Sequence, residues 1–218
     1  AEDVASATEA SDDADLIIAR ASLERYRLSA ELTDLATARE RLRRIRPERL
    51  VADGQTEFVI GLGETLYFDR APGAAATLFE AVLAREALEG EARERVLDWW
   101  ASAIDADARP RSEFDRQASY LRIRDRMRVE LGVNASSAVA AYWLAAAARG
   151  QGDLQAAWDA ALAGWVLAPI GSDRGAALRG ELERLVQRAL VPERARVLAQ
   201  PAEQLRQEWE AFKGRWER

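Results

Sequence analysis

The chain has 218 residues, 49% of them hydrophobic and 31% charged, with a formal net charge of −6, no Cys and no His. That length supports a substantial core in one domain or a continuous repeat array, and the acidic balance offers no overall field to draw nucleic acid. Disulfides, thiol chemistry, Cys/His zinc sites and every His-based triad are excluded, so neither a metal nor a cofactor is expected. No apolar run approaches the roughly 20 residues of a membrane span. Basic residues are almost all Arg, Lys213 being the only Lys, a bias that fits a GC-rich, bacterial genome.

Residues 1–12 are small, polar and acidic, and are expected to be a disordered N-terminal segment. The chain opens Ala1-Glu2-Asp3 without Met; a periplasmic, exported location after signal-peptide removal and a cytoplasmic one are expected equally. From Asp13 a helical stripe runs through Leu16, Ala19, Leu23, Tyr26 and Ala30. Thr33 and Asp34 read as a turn, after which Leu35, Ala38, Leu42 and Ile45 make a second stripe that Pro47 closes. Ala52-Asp53-Gly54 reads as a loop before a helix from Gln55 to Phe68. A turn at Asp69–Gly73 leads into a further helix carrying Ala75, Phe79 and Val82. After Gly90 comes a helix with Val96, Trp99, Trp100 and Ile104. Adjacent helical residues diverge by about 100°, so one of Trp99 and Trp100 must be core while the other faces a groove or a neighbouring element.

Arg109-Pro110-Arg111 is a break. Ser112 with Asp115 approximates a capping box and opens a helix to about Leu131, where Gly132 suits a left-handed helix end. Two apolar helices then occupy Ala138–Pro169, joined by Gly150-Gln151-Gly152-Asp153. Asp153 is placed to cap the second of them, Ala157, Ala161 and Gly164 give it a small-residue face, and Pro169 ends it. In 171–218, Gly171-Ser172-Asp173 precede a helix with Leu178, Leu182, Leu185 and Ala189 that Pro192 interrupts. Pro201 opens a last helix with Leu205, Trp209, Phe212 and Trp216 on one face, expected to cover the Leu178–Leu185 face. No segment alternates with a period of two, so the fold class is all-α.

The chain compares with itself. Leu62-Gly63, Ala75, Phe79 and Val82 align at identical spacing with Leu144-Ala145, Ala157, Ala161 and Gly164, and Leu23, Tyr26, Leu35, Leu42 and Pro47 follow the same ladder. This resembles the tetratricopeptide repeat family, which places small residues where paired helices touch and Pro at the repeat end. Gly63, Ala75 and Phe79 match that pattern in one hairpin, and Leu144, Gly152, Ala157 and Pro169 in another. The resemblance covers about Leu16–Pro169; Leu35 departs from the family's Ala, and the hairpins start about 38 to 44 residues apart rather than about 34. It implies an α-α superhelix, a solenoid of helical hairpins over 13–170 with a C-terminal helical cap over 171–218.

The resemblance also implies a concave groove lined by the first helix of each pair. Carried over by position, that face presents Glu24 and Arg27; Ile60, Glu64, Tyr67 and Phe68; Asp98, Ser102 and Asp105; and Tyr142, Ala146 and Arg149. Mixed aromatic and acidic character suits a partner with apolar and cationic parts, although Tyr67, Phe68 and Tyr142 serve equally well as packing. The Arg-rich stretches 39–49 and 122–128 are interrupted by acids and read as solvated, salt-bridged faces. Asp105 and Asp107 stand two apart and diverge, and Gly61-Leu62-Gly63 has no strand before it, so no enzyme is expected. The expected function is a non-catalytic binding or scaffold protein that presents the groove to a peptide, a protein or a small solute. The alternatives are a periplasmic, transporter-associated solute-binding component and a carboxylate-dependent enzyme.

Overall fold

Apolar residues recurring every three or four positions are buried together only on a helix. In the computed structural model the described residues, 2–85, 88–168 and 173–216, contain helices and no strand. The chain divides into two compact units, Ala1–Asp107 and Ala108–Arg218.

The first unit consists of α1 (Glu2–Ser29), α2 (Leu32–Arg44), a 3₁₀ turn at Pro47–Arg49, α3 (Ala52–Phe68), α4 (Pro72–Leu83) and α5 (Gly90–Ala108). One core joins Leu16, Ala19 and Leu23 of α1 to Leu35, Ala38 and Leu42 of α2, with Ile45, Leu50 and Phe58 closing it. The α1–α2 turn comes earlier than Thr33–Asp34: Ala30 takes the left-handed conformation (φ 58°), and Thr33 and Asp34 lie in the first turn of α2. Likewise Ala52-Asp53-Gly54 is the first turn of α3 rather than a loop. The α3–α4 contact is built on a missing side chain. A Cβ on Gly63 would lie 2.6 Å from Cε1 of Phe79, and Ala75, Phe79 and Val82 are fully buried around it.

The second unit consists of α6 (Glu113–Val133), α7 (Ala138–Gly150), α8 (Leu154–Leu167), α9 (Asp173–Leu185), a π turn at Val186–Leu190, α10 (Val191–Leu198) and α11 (Ala202–Trp216). Ser112 caps α6, accepting from the Asp115 amide at 3.2 Å. Asp153 caps α8, accepting from the Ala156 amide at 3.0 Å, after Gly152 reverses the chain at φ 78°. Gly132 is not the left-handed residue expected: α6 runs through it to Val133. Pro192 does not break the helix either. It sits in the first turn of α10, and the π turn ahead of it takes up the ring's conflict with the helical ladder while the backbone stays right-handed. Pro169 and the Gly171-Ser172 segment lie outside the described residues.

Two tryptophans of α8, Trp158 and Trp165, belong to the core cluster of this unit. Trp209 of α11 is fully buried and meets Trp158 and Trp165 edge-on at 5.9 and 5.3 Å. Its indole Nε1 donates to Glu183 Oε2 at 2.8 Å, and the Lys213 ammonium donates to the same oxygen at 2.9 Å. Leu178, Leu182, Val186, Leu190 and Leu205 complete the cluster. The α11 stripe stops short of its expected end, since Trp216 is 47% exposed.

Candidate functional site

Three helices of the first unit enclose a cleft of about 710 Å³. From α1 it takes Arg20, Glu24 and Arg27; from α3 Glu57, Ile60, Glu64, Tyr67 and Phe68; from α5 Arg95, Asp98, Trp99 and Ser102. Each set follows helical spacing: residues three, four or seven apart share a face.

One wall is aromatic. Tyr67 and Phe68 both meet Trp99 edge-on, at 5.3 and 5.7 Å, and Phe79 stacks behind Trp99 at 6.0 Å. Tyr26 braces Phe68 from the other side at 4.8 Å. Trp100, next along α5, is buried in the core instead. Such ring pairs hold each other in place, so the wall is preformed.

The remaining surface is charged and largely paired. Glu57 accepts from Arg95 Nη2 at 2.7 and 2.9 Å and lies 3.1 Å from Arg20 Nε. Arg27 Nη2 donates to Glu24 at 2.6 Å. Glu64 makes no hydrogen bond or ion pair among the described residues. Burial pushes its carboxyl up to about 7 by disfavouring the charged form. Arg95, Arg20 and Arg27 pull the other way, and Glu24 adds to the rise.

The expected groove residues divide accordingly. Glu24, Arg27, Ile60, Glu64, Tyr67, Phe68, Asp98 and Ser102 come together in this cleft, whereas Asp105, although half-buried on α5, is not among its lining residues. Tyr142 and Arg149 belong to α7 of the second unit. Tyr142 packs edge-on against Trp143 at 5.4 Å and against the core, and Arg149 grips Glu193 of α10 through Nε and Nη2. In the structure Arg149 is therefore a tie between helices. Arg20, Glu57 and Arg95 escaped the sequence reading, yet the signal was present: Arg20 is four residues before Glu24, Glu57 seven before Glu64 and Arg95 three before Asp98.

Several arginines of the Arg-rich stretches are paired, some with the interrupting acids and some with acids elsewhere, while Arg49 Nη1 is buried without a hydrogen-bond partner. Arg41 donates to Asp15 at 2.6 Å, Arg39 pairs with Asp69 and Arg44 with Glu40; Arg126 donates to Glu130 at 2.7 Å. Among the described residues no helix is long and apolar enough to cross a membrane. No family model matches the chain, and neither a curated protein nor a solved structure does.

Proposed function

We propose that the protein is a non-catalytic binding module, built of tetratricopeptide-like hairpins, whose first unit holds a peptide, a segment of a partner protein or a small solute in the α1–α3–α5 cleft. The observation that carries this reading is the preformed cleft itself. Its volume of about 710 Å³ falls in the range of roughly 300–1,000 Å³ usual for ligand sites. Its rings are mutually braced and most of its charges are already paired, so little side-chain ordering remains to oppose association. The hairpin reading is supported by the close contacts at Gly63 and Phe79 in one unit and by buried Ala157, Ala161 and Gly164 in the other.

A second reading has one observation in its favour. A carboxyl held near 7 in a cleft is suited to general-acid work, which would make the protein a carboxylate-dependent enzyme. Against it, Glu57 and Glu24 are engaged by arginines, which removes them as ready partners for Glu64.

Pools of short peptides and of polar small molecules, presented to the labelled protein and followed by amide and indole chemical shifts, test the proposal. Saturable shifts clustered at Glu64, Tyr67 and Trp99, with the ligand recovered unchanged, are expected. Shifts confined to other surfaces would contradict the proposal, and conversion of a ligand would favour the enzyme.

A further inference from the structure

Resting on that reading of the cleft, we infer that its ligand carries an organic cation, an ammonium or guanidinium group on an apolar body, and that Glu64 is the carboxylate that receives it. The sign of the ligand charge follows from which groups are already paired. The cationic side chains lining the cleft are committed: Arg95 and Arg20 to Glu57, Arg27 to Glu24. An arriving anion would compete with these carboxylates for the guanidiniums, of whose donors Arg95 Nε is buried without a hydrogen-bond partner. An arriving cation meets a carboxylate with neither a hydrogen bond nor an ion pair, in a cleft that Tyr67, Phe68 and Trp99 also line. Rings of that kind attract a cation within about 6 Å of their centroids and cover the apolar body that bears it.

Binding is then linked to protons. Arg20, Glu24 and Arg27 of α1, Arg95 and Asp98 of α5, and Glu57 and Tyr67 of its own helix line the cleft with Glu64, and Arg95, Arg20, Arg27 and Glu24 act on its charge. Desolvation dominates over this surrounding charge and leaves the free carboxyl titrating at about 7. A bound cation favours the ionised form, so the ligand displaces a proton. Affinity therefore climbs as pH rises toward 7 and levels off above it; below 7 it falls by about tenfold per unit.

Benzylammonium, benzyl alcohol and benzoate form a test set of one shape and three charges, titrated against the full chain by chemical shift at pH 6 and 8. Benzylammonium is expected to bind at the Trp99 indole at least tenfold more tightly than either analogue, and more tightly at pH 8 than at pH 6. Glu64→Gln, which keeps the side chain's shape and whose folding is checked by its helical circular dichroism, should erase both the preference and the pH dependence. The blocked peptide acetyl-Phe-Lys-Phe-amide and its Lys→Gln counterpart distinguish the source of the cation: tighter binding of the Lys peptide than of benzylammonium assigns a basic peptide, the reverse a small amine. Benzyl alcohol or benzoate binding as well as benzylammonium would overturn the cation and leave the cleft reading intact. If none of these probes shifts the cleft, both fall. An unchanged preference in Glu64→Gln would overturn the role of Glu64.

Discussion

Gly63 shows how much one absent side chain decides. The α3–α4 hairpin closes at the distance it does because the Phe79 ring occupies the space a Cβ would fill, 2.6 Å away. Phe79 is fully buried and has nowhere to retreat, so Gly63→Ala should destabilise the protein by about 1–3 kcal/mol through overpacking. Chemical denaturation would show this as a lower midpoint at unchanged slope, and a neutral result would mean the contact is looser than described. Glu64, the next residue, has a different cost. Its folded-state carboxyl titrates at about 7, above the ordinary 4.5, so between those values the folded chain binds more protons than the unfolded one. That contribution is favourable at low pH and is lost as pH rises through about 7. Glu64→Gln should therefore be near neutral at pH 4.5 and stabilise by up to about 3 kcal/mol at pH 8, the equivalent of the shift at 1.36 kcal/mol per unit. Melting temperatures of the two chains across that range would check it; a difference independent of pH would contradict the desolvated carboxyl.

At the scale of elements, helix positions were legible in the sequence because amphipathic periodicity and cap residues are local. Ser112 and Asp153 cap the helices their spacing indicated. The errors arose at a turn, at a proline and at a long-range contact. Ala30 rather than the Thr33-Asp34 pair supplies the left-handed turn, and a π turn lets α9 and α10 run through the region of Pro192. Likewise the Arg149–Glu193 tie spans 44 residues, a separation no local pattern reveals. The α11 helix is the clearest test of packing. Trp209 lies against Trp158 and Trp165 and donates to Glu183, whose carboxyl burial alone would raise; hydrogen bonds from Trp209, Lys213 and Gln187 outweigh that and hold it below its ordinary value. Trp209→Ala should cost about 3–5 kcal/mol, read from the denaturation midpoint, whereas Trp216→Ala, at a half-exposed ring, should cost far less. Equal costs would mean the stripe packs along its whole length.

For the whole molecule, all-α class followed from the absence of any period-two segment, and the described residues contain no strand. The cleft was half legible. The face carried over by position from the tetratricopeptide resemblance includes Glu24, Glu64, Tyr67, Phe68, Asp98 and Ser102, which line one cleft, because residues on one stripe share a surface. What spacing does not encode is depth and pairing: that Glu57 is held by two arginines while the half-buried Glu64 makes no hydrogen bond or ion pair among the described residues depends on how three helices meet. The account rests on that difference. A carbon-detected pH titration of the Glu64 side-chain carboxyl in the intact, ligand-free protein measures it directly. A midpoint of about 7 is the predicted result, and a midpoint at the ordinary carboxylate value would contradict a desolvated cleft waiting for a cation.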